Sequence, residues 1–416
     1  MGYDMKYGLL GRKLGHSFSK KIHNLIDRYD YDLYEKELDQ IEQFVNGDIT
    51  GFNITIPYKI EVMKYIDEMT NRAKKIGCIN TVIKKNGKVI GDNTDYFGFE
   101  YMLNSLEIGD VKSALILGDG ATSMTVGAVL DDRGIPYTKL SRKTEPYYSR
   151  YLDYKDVELL INATPVGMYP NNGERLIDIS EFNNLKGVID VVYNPMCTKL
   201  LFDAKEKNIK CCNGLPMLVA QAAEAYNVFC GNKVEDRKMK RIIEKLSVEG
   251  NIVLIGMPST GKSTIGRIIS KNTDKILVDF DEEIVRKTGK SIERIFSEDG
   301  EAYFRKLESE MCGEFGKKNN LVIATGGGVV TQIENYESLK QNGKIYLLKR
   351  NLEELELEGR PLLKDFDSVL RLWEDRKDRY QSFSDKEVEN ITIMEASKKI
   401  IDDFYGYDYT KCENRI

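Results

Sequence analysis

The chain is poor in the side chains that build metal centres. Among 416 residues it has two histidines, His16 and His23, and seven cysteines, of which only Cys211 and Cys212 are adjacent and none forms a C-x-x-C pair. A zinc site needs three or four such ligands at close spacing, so the composition argues against one. An odd number of dispersed thiols suits a reducing compartment rather than a disulfide framework. Long apolar runs are absent too: stretches such as Ala114–Leu117 fall far short of the ~18 residues a bilayer span needs. No secretory pattern opens the sequence, and Lys6 spoils a myristoylation reading of Met1-Gly2, so a cytoplasmic protein is expected. No block of like charge stands out and the net charge is -5, which argues against non-specific nucleic-acid binding. Internal repeats and low-complexity segments are also missing. The length fits two to three domains, each with its own core.

What is present is a phosphate loop. Gly256-Met-Pro-Ser259-Thr260-Gly261-Lys262-Ser263-Thr264 fits G-x4-G-K-[ST]. It follows a strand-like apolar run over 251–255 and precedes a helical run over 265–270. In that setting backbone N–H groups cradle phosphates, the helix N-terminus adds partial positive charge, Lys262 reaches the outer phosphates and Ser263 can ligate Mg²⁺. A start so deep in the chain implies that another domain precedes it.

That preceding half reads as α/β. Strands are predicted over 6–10 and 51–56, and amphipathic helices over 19–29 and 60–69. Asn86-Gly87 between two apolar runs is a hairpin signal. A second α/β unit begins with a buried strand over 113–118, followed by strands over 157–163 and 187–192 and helices over 216–230 and 235–246. The strand over 113–118 ends in Gly118-Asp119-Gly120-Ala121-Thr122-Ser123, a truncated dinucleotide fingerprint. A little over twenty residues on, Ser141-Arg142-Lys143 stands where an NAD site would carry an acid. A basic side chain there suits a 2′-phosphate and favours NADP. Taken alone, the glycine turn also reads as a ligand-free strand–helix turn, and Arg142 and Lys143 as a solvated basic turn.

Seven ordered segments of residues 1–245 resemble the shikimate dehydrogenase family: Gly15-His-Ser17-Phe-Ser19, Asn53-Ile-Thr55-Ile-Pro57-Tyr-Lys59, Gly77-Cys-Ile-Asn80-Thr81, Gly91-Asp-Asn-Thr94-Asp95-Tyr-Phe-Gly98, Ile161-Asn-Ala-Thr164-Pro-Val-Gly167-Met168, Asp190-Val-Val-Tyr193-Asn-Pro195 and Gly214-Leu-Pro-Met217-Leu-Val-Ala-Gln221. The resemblance implies a substrate-binding domain over 1–100 and a Rossmann-type NADP-binding domain over 101–246 whose last helices return to the first. It implies that Ser17 and Ser19 hold the shikimate carboxylate, that Asn53, Thr55, Asn80, Asp95, Tyr193 and Gln221 surround the ring, and that Lys59 with Asp95 is the catalytic pair. Gly118, Gly120, Ala121, Thr122, Ser141, Arg142, Lys143, Thr164, Gly214 and Met217 would hold NADP(H). Two departures from the family pattern stand out. Ala121 replaces a third glycine, and Asp119 is unwelcome beside a pyrophosphate unless it faces away.

Beyond the phosphate loop, Asp279 and Asp281 are expected to end a strand with both carboxylates on one face. Arg305 and Glu308 are i,i+3 neighbours on a predicted helix. Gly326-Gly327-Gly328 follows a strand over 321–323 and offers bare backbone to a ligand. Arg360 and Arg376 complete the set. Alone, these read equally well as a surface ion pair, a plain turn and a solvated basic helix. Together they resemble the shikimate kinase family over 251–405. The likeness implies a five-stranded parallel sheet of the nucleoside monophosphate kinase type, reached through a linker over 247–250 and followed by a surface tail over 406–416. Asp281, Arg305, Gly327, Gly328 and Arg376 would bind shikimate, with Asp281 accepting the 3-hydroxyl proton. Gly256, Ser259, Thr260, Gly261, Lys262, Ser263 and Thr264 would bind ATP, Ser263 and Asp279 would serve Mg²⁺, and Arg360 would neutralise the transferring phosphoryl group. Ser259 stands where the family often has glycine, and the stretch over 350–360 is short for a lid.

The expectation is an α/β bifunctional enzyme: NADPH-dependent reduction of 3-dehydroshikimate to shikimate, then phosphorylation by ATP. Its partners would be these small molecules, with no nucleic acid and no membrane; oligomeric state is left open. The rival readings are that one half is a non-catalytic binding or regulatory module, or that the reductase acts on quinate.

Overall fold

The computed structural model describes residues 5–15, 17–356 and 365–406. The chain divides into two compact units. The first comprises Met1–Met168, Glu174–Tyr193 and Thr198–Leu246, and the second comprises Ser247–Ile416 with Tyr169–Gly173 and Asn194–Cys197. These last two stretches were expected in the NADP-binding domain. They group instead with the second unit, where the Cys197 N–H donates to Gln341 O at 2.9 Å.

Two sheets build the first unit. One is mixed, in the order β2-β1-β3-β5-β6-β4, from β1 (Tyr7–Gly11), β2 (Tyr31–Glu35), β3 (Gly51–Ile54), β4 (Glu68–Met69), β5 (Thr81–Lys85) and β6 (Lys88–Asp92). The β5–β6 hairpin turns on Asn86 and Gly87, both at positive φ, as the two-residue Asn-Gly signal requires. The second sheet is wholly parallel. It comprises β7 (Ala114–Leu117), β8 (Tyr137–Leu140), β9 (Leu159–Asn162), β10 (Gly187–Asp190) and β11 (Lys210–Cys212), in the order β11-β10-β9-β7-β8. Its three inner strands, β10, β9 and β7, are near-continuous buried runs, as strands covered on both faces are. The strand order reverses between β7 and β9, which opens a crevice at the carboxyl ends of these strands.

Two sequence expectations need correction here, and one strand was not foreseen. The segment 60–69 is not a helix but a 3₁₀ turn, Glu61–Tyr65, followed by β4. Asp67 explains this: its N–H donates to Val89 O and its carboxylate accepts the Val89 N–H, drawing the segment onto β6. β2 had no counterpart in the sequence reading, since Tyr-Asp-Leu-Tyr-Glu alternates weakly and gains its strand from parallel pairing with β1. The expected boundary at 100/101 falls inside the helix Asp95–Ser105, where Gly98 packs closely on the Met217 carbonyl and Gln221 Cβ.

The second unit holds one parallel sheet, β13-β14-β12-β15-β16, made of β12 (Asn251–Ile255), β13 (Ile276–Asp279), β14 (Leu321–Ala324), β15 (Gly343–Lys349) and β16 (Lys386–Glu389). Its core gathers Val253, Ile255, Phe280, Ile323, Leu347 and Tyr380. Of the residues assigned to the tail region, Gly406 caps the helix Ile393–Tyr405 and the others lie outside the described residues. No helix among the described residues is long and apolar enough to cross a membrane.

Candidate functional site

In the first unit, polar side chains collect at the ends of β3, β5 and β6. Lys59 Nζ lies 2.5 Å from Asp95 Oδ2, with side-chain exposures of 13% and 9%. Asp95 opens the helix Asp95–Ser105, whose N-terminal dipole favours its negative charge. Asn80 Oδ1 accepts from the Thr94 N–H at 2.7 Å and from the Thr81 hydroxyl at 3.0 Å. Its Nδ2 has no partner among the described residues and is free to donate. Asn53 differs from expectation: it is buried, its Oδ1 accepts from the Tyr31 hydroxyl at 2.8 Å and its Nδ2 donates to Thr81 Oγ1 at 2.9 Å. It braces β2, β3 and β5 rather than facing open space. Thr55 is half-buried beside Gly11, and Ser17 Oγ accepts from the Ser19 N–H at 3.2 Å. Tyr193 lies against Phe18, ring centroids 5.6 Å apart, and burial pushes its hydroxyl pKa up. Gln221 is buried, with its Nε2 donating to Leu218 O.

At the crevice of the parallel sheet, Gly118 takes φ +122° and presses on Thr164 Cγ2 and the Ala163 carbonyl, contacts that a side chain would spoil. Gly120 opens to space, with no atom within 4 Å of where a Cβ would stand. No side chain caps the helix Ala121–Asp132, which leaves the first-turn N–H groups of Ala121 and Thr122 for an anion. The Asp119 carboxylate accepts from the Ser141 hydroxyl, and Ser141 Oγ in turn accepts the Lys143 N–H at 2.9 Å. Arg142 and Lys143 are exposed.

In the second unit Gly256 and Gly261 take positive φ, as does Ser259 at 64°. Ser259 Oγ donates to Glu356 O at 2.8 Å. Lys262 Nζ donates to Gly256 O and Met257 O at 2.9 and 2.8 Å. Thr260 is buried, Thr264 exposed and the Ser263 hydroxyl half-buried. Asn390, which the sequence reading missed, donates from Nδ2 to Thr260 O at 2.8 Å and holds the loop from below. Nothing local marks it, because it lies 130 residues away in sequence.

The two carboxylates after β13 correct another expectation. Asp279 ends the strand and caps the helix Phe280–Thr288, its Oδ1 accepting from the Asp281 N–H at 3.0 Å and the Glu282 N–H at 3.4 Å. Asp281 therefore sits in a helical first turn, and strand alternation does not relate the pair. Arg305 Nη1 meets Glu308 Oε2 at 2.7 Å, and both residues are buried, so this is no surface ion pair. Arg305 Nη2 also meets Glu301 Oε1 at 2.9 Å, and Arg376 Nη2 lies 4.0 Å from that same oxygen. Two guanidinium groups thus converge on one carboxylate. Glu301 was not foreseen, although its i,i+4 spacing to Arg305 was a usable signal. Arg376 Nη1 and the Tyr380 hydroxyl both donate to Gly327 O. The three glycines serve close packing more than ligand access. A Cβ at Gly328 would overlap the Arg305 guanidinium, one at Gly326 would overlap Glu308, and one at Gly327 would stand 2.7 Å from Pro258. Arg360 lies outside the described residues.

Comparison with known proteins covers both units. A family model for the shikimate dehydrogenase substrate binding domain matches residues 9–82, and one for shikimate kinase matches 258–404. A shikimate dehydrogenase (NADP(+)) of Clostridium beijerinckii is 37% identical over 245 residues, 54% of this chain and 91% of that protein. The chain belongs to the shikimate dehydrogenase family. Its second half carries a shikimate kinase domain. Shikimate dehydrogenase 1 of Peptoclostridium difficile superposes with a TM-score of 0.54 at 33% identity, over 59% of this chain and 98% of that one. A chorismate mutase/shikimate 5-dehydrogenase fusion of Clostridium acetobutylicum gives 0.55 at 33% identity, over 58% and 97%.

The residues present fit the groups these families use. The dehydrogenase crevice offers an uncapped helix N-terminus and an open glycine. Gly214 begins the helix Leu215–Cys230, with Met217 buried in its first turn. In the kinase domain the helix Lys262–Lys271 likewise has no side-chain cap. Ser263 and Asp279 supply the hard oxygen donors that Mg²⁺ prefers.

Proposed function

We propose that this chain carries out two consecutive reactions, reducing 3-dehydroshikimate to shikimate with NADPH and then phosphorylating shikimate at its 3-hydroxyl with Mg·ATP. The observations that support this are the Lys59–Asp95 pair in the first unit and the convergence of Arg305 and Arg376 on the Glu301 carboxylate in the second.

In the reductase site, bound NADPH supplies the hydride. Asp95 holds Lys59 Nζ at 2.5 Å and aims it, so that the lysine delivers a proton to the oxygen of the reduced ketone. Asn80 Nδ2 donates to a ring hydroxyl, and Ser17 with Ser19 holds the ring carboxylate. Exposed Arg142 and Lys143 suit the 2′-phosphate that separates NADPH from NADH. Ser141 engages the Asp119 carboxylate with its hydroxyl.

In the kinase site, Arg305 and Arg376 exchange Glu301 for the carboxylate of shikimate, since a guanidinium fork binds a carboxylate in bidentate fashion. Asp281 takes the proton of the attacking hydroxyl. Mg·ATP supplies the phosphoryl group, and Lys262 leaves its carbonyl partners to meet the outer phosphates. The intact Lys59, Asp95, Lys262, Asp281 and Arg305 favour two working sites over a silent half. A kinase for shikimate in the same chain favours shikimate over quinate as the reductase product.

The test is a coupled assay on the purified chain given 3-dehydroshikimate, NADPH and Mg·ATP. Shikimate 3-phosphate should accumulate with one NADPH consumed per product. NADPH oxidation without phosphorylated product, or neither, would refute one half of the reading or both.

A further inference from the structure

Asp190 ends β10, is fully buried, and touches neither the Lys59–Asp95 pair nor the glycine turn. Three donors hold its carboxyl group. Oδ1 accepts from Asn162 Nδ2 at 2.9 Å and from the Val192 N–H at 3.0 Å, and Oδ2 accepts from the Thr198 hydroxyl at 2.6 Å. Two of these donors lead to the walls of the crevice. Asn162, the register partner of Asp190 on β9, turns its Oδ1 to the Thr164 N–H at 3.1 Å and the Thr164 hydroxyl at 2.7 Å. Thr164 in turn packs against the Gly118 turn, its Cγ2 standing 3.0 Å from where a Cβ on Gly118 would be. In the other direction, Val192 runs straight into Tyr193, which meets Phe18 between Ser17 and Ser19. Val192 O also accepts the Gly214 N–H at 3.0 Å, and Gly214 opens the helix that carries Met217 and Gln221. The fit at Gly214 is close enough that a side chain there would overlap the Val191 carbonyl.

We propose that Asp190 is a positioning residue for the reduction: through Asn162 and Val192 it sets the separation between the cofactor side of the crevice, at Thr164, and the ring side, at Tyr193 and Gln221. This rests on the reductase reading above and adds to it a residue that reaches neither substrate nor cofactor. The reason is geometric. Hydride transfer needs donor and acceptor carbons in a near-attack arrangement, and a small displacement of one wall is felt directly in the rate. The role requires hydrogen-bond geometry and not charge. An asparagine keeps one oxygen for Asn162 and Val192 and offers an amide N–H to Thr198, whose hydroxyl can turn to accept. An alanine keeps none of these contacts.

The experiment uses the full chain, as wild type, Asp190→Ala and Asp190→Asn. It measures steady-state reduction with NADPH and with 4-deuterated NADPH, the fraction of active reductase, and kinase activity on the same preparation. Asp190→Ala should lower kcat by about 10- to 100-fold. It should also raise the deuterium isotope effect, because a misplaced wall makes the chemical step rate-limiting. Asp190→Asn should stay within about 2-fold of wild type in both. Kinase activity should be unchanged in all three. An alanine variant with the wild-type isotope effect, its loss explained by a smaller active fraction, overturns the proposal, as does an asparagine variant damaged like alanine. Should alanine leave no folded reductase, Asn162→Ala cuts the link from Asp190 to Thr164 and carries the same test: a raised isotope effect supports the proposal and an unchanged one overturns it. A wild-type chain unable to reduce 3-dehydroshikimate would sink the functional reading itself, whereas an active wild type with insensitive variants sinks only this inference.

Discussion

Glu308 Oε1 occupies the space that a methyl group on Gly326 would need. That oxygen has no hydrogen-bond partner among the described residues, while Oε2 is held by Arg305. Burial pushes the Glu308 carboxyl pKa up, against the pull of Arg305. Gly326→Ala must therefore move a fully buried side chain and with it the guanidinium beside Gly328. Phosphorylation of shikimate should fall by about 10-fold or more in kcat/KM, with reduction of 3-dehydroshikimate intact. Both rates measured on one preparation check this, and an unaffected kinase would show that Glu308 yields freely.

Lys59→Ala removes the proposed proton donor and leaves Asp95 buried without its cation. Turnover in the reductase should drop by about 100- to 10,000-fold, with a far smaller change in KM for 3-dehydroshikimate. Near-normal turnover in a spectrophotometric NADPH assay would refute the assignment.

Asn390→Ala strips the Thr260 carbonyl of its buried donor and loosens the phosphate loop from below. A lost buried hydrogen bond of ~1–2 kcal/mol corresponds to about a 10-fold rise in KM for ATP. Kinase saturation curves test this. Fluorescence of Trp373, the single tryptophan of the chain, reports separately whether the kinase domain stays folded. An unchanged KM for ATP would mean that the loop holds its shape without Asn390.

Burial pushes the Asp190 carboxyl up from 3.8 to about 7, with Thr198, Val192 and Asn162 pulling the other way. In the folded chain it keeps a proton that the unfolded chain has released. Its contribution to stability is therefore fully present below pH ~4 and is lost as pH rises through about 7. Asparagine does not titrate, so the stability of wild type relative to Asp190→Asn should fall between pH 5 and pH 8. Urea unfolding followed by loss of reductase activity at both pH values measures the difference. A difference independent of pH would mean that Asp190 is ionised throughout.

Features set within a few residues were legible in the sequence. The phosphate loop, the Asn86-Gly87 hairpin and the apolar runs of the parallel strands all follow from local backbone demands. The readings that failed crossed longer distances. Segment 60–69 has helical spacing, yet Asp67 and its partner Val89 claim it for β6. Asp279 and Asp281 look like alternating strand residues, but the Asp279 carboxylate caps a helix and turns the chain between them. Asn53 belongs to a motif that suggested substrate contact, and Tyr31 and Thr81 engage it within the protein.

Residue order alone pointed to two nucleotide-type α/β units in succession, through turns, glycine spacing and apolar periodicity, which act over one or two helical turns. The lysines, arginines and carboxylates expected in each site came from the resemblance to the two families. Only the folded chain decided that Glu301 bridges Arg305 and Arg376, that Asn390 underpins Thr260, and that Asp190 ties Thr164 to Tyr193. Such contacts join different strands and helices, and polar groups removed from water must find partners wherever the packing of the sheets happens to bring them.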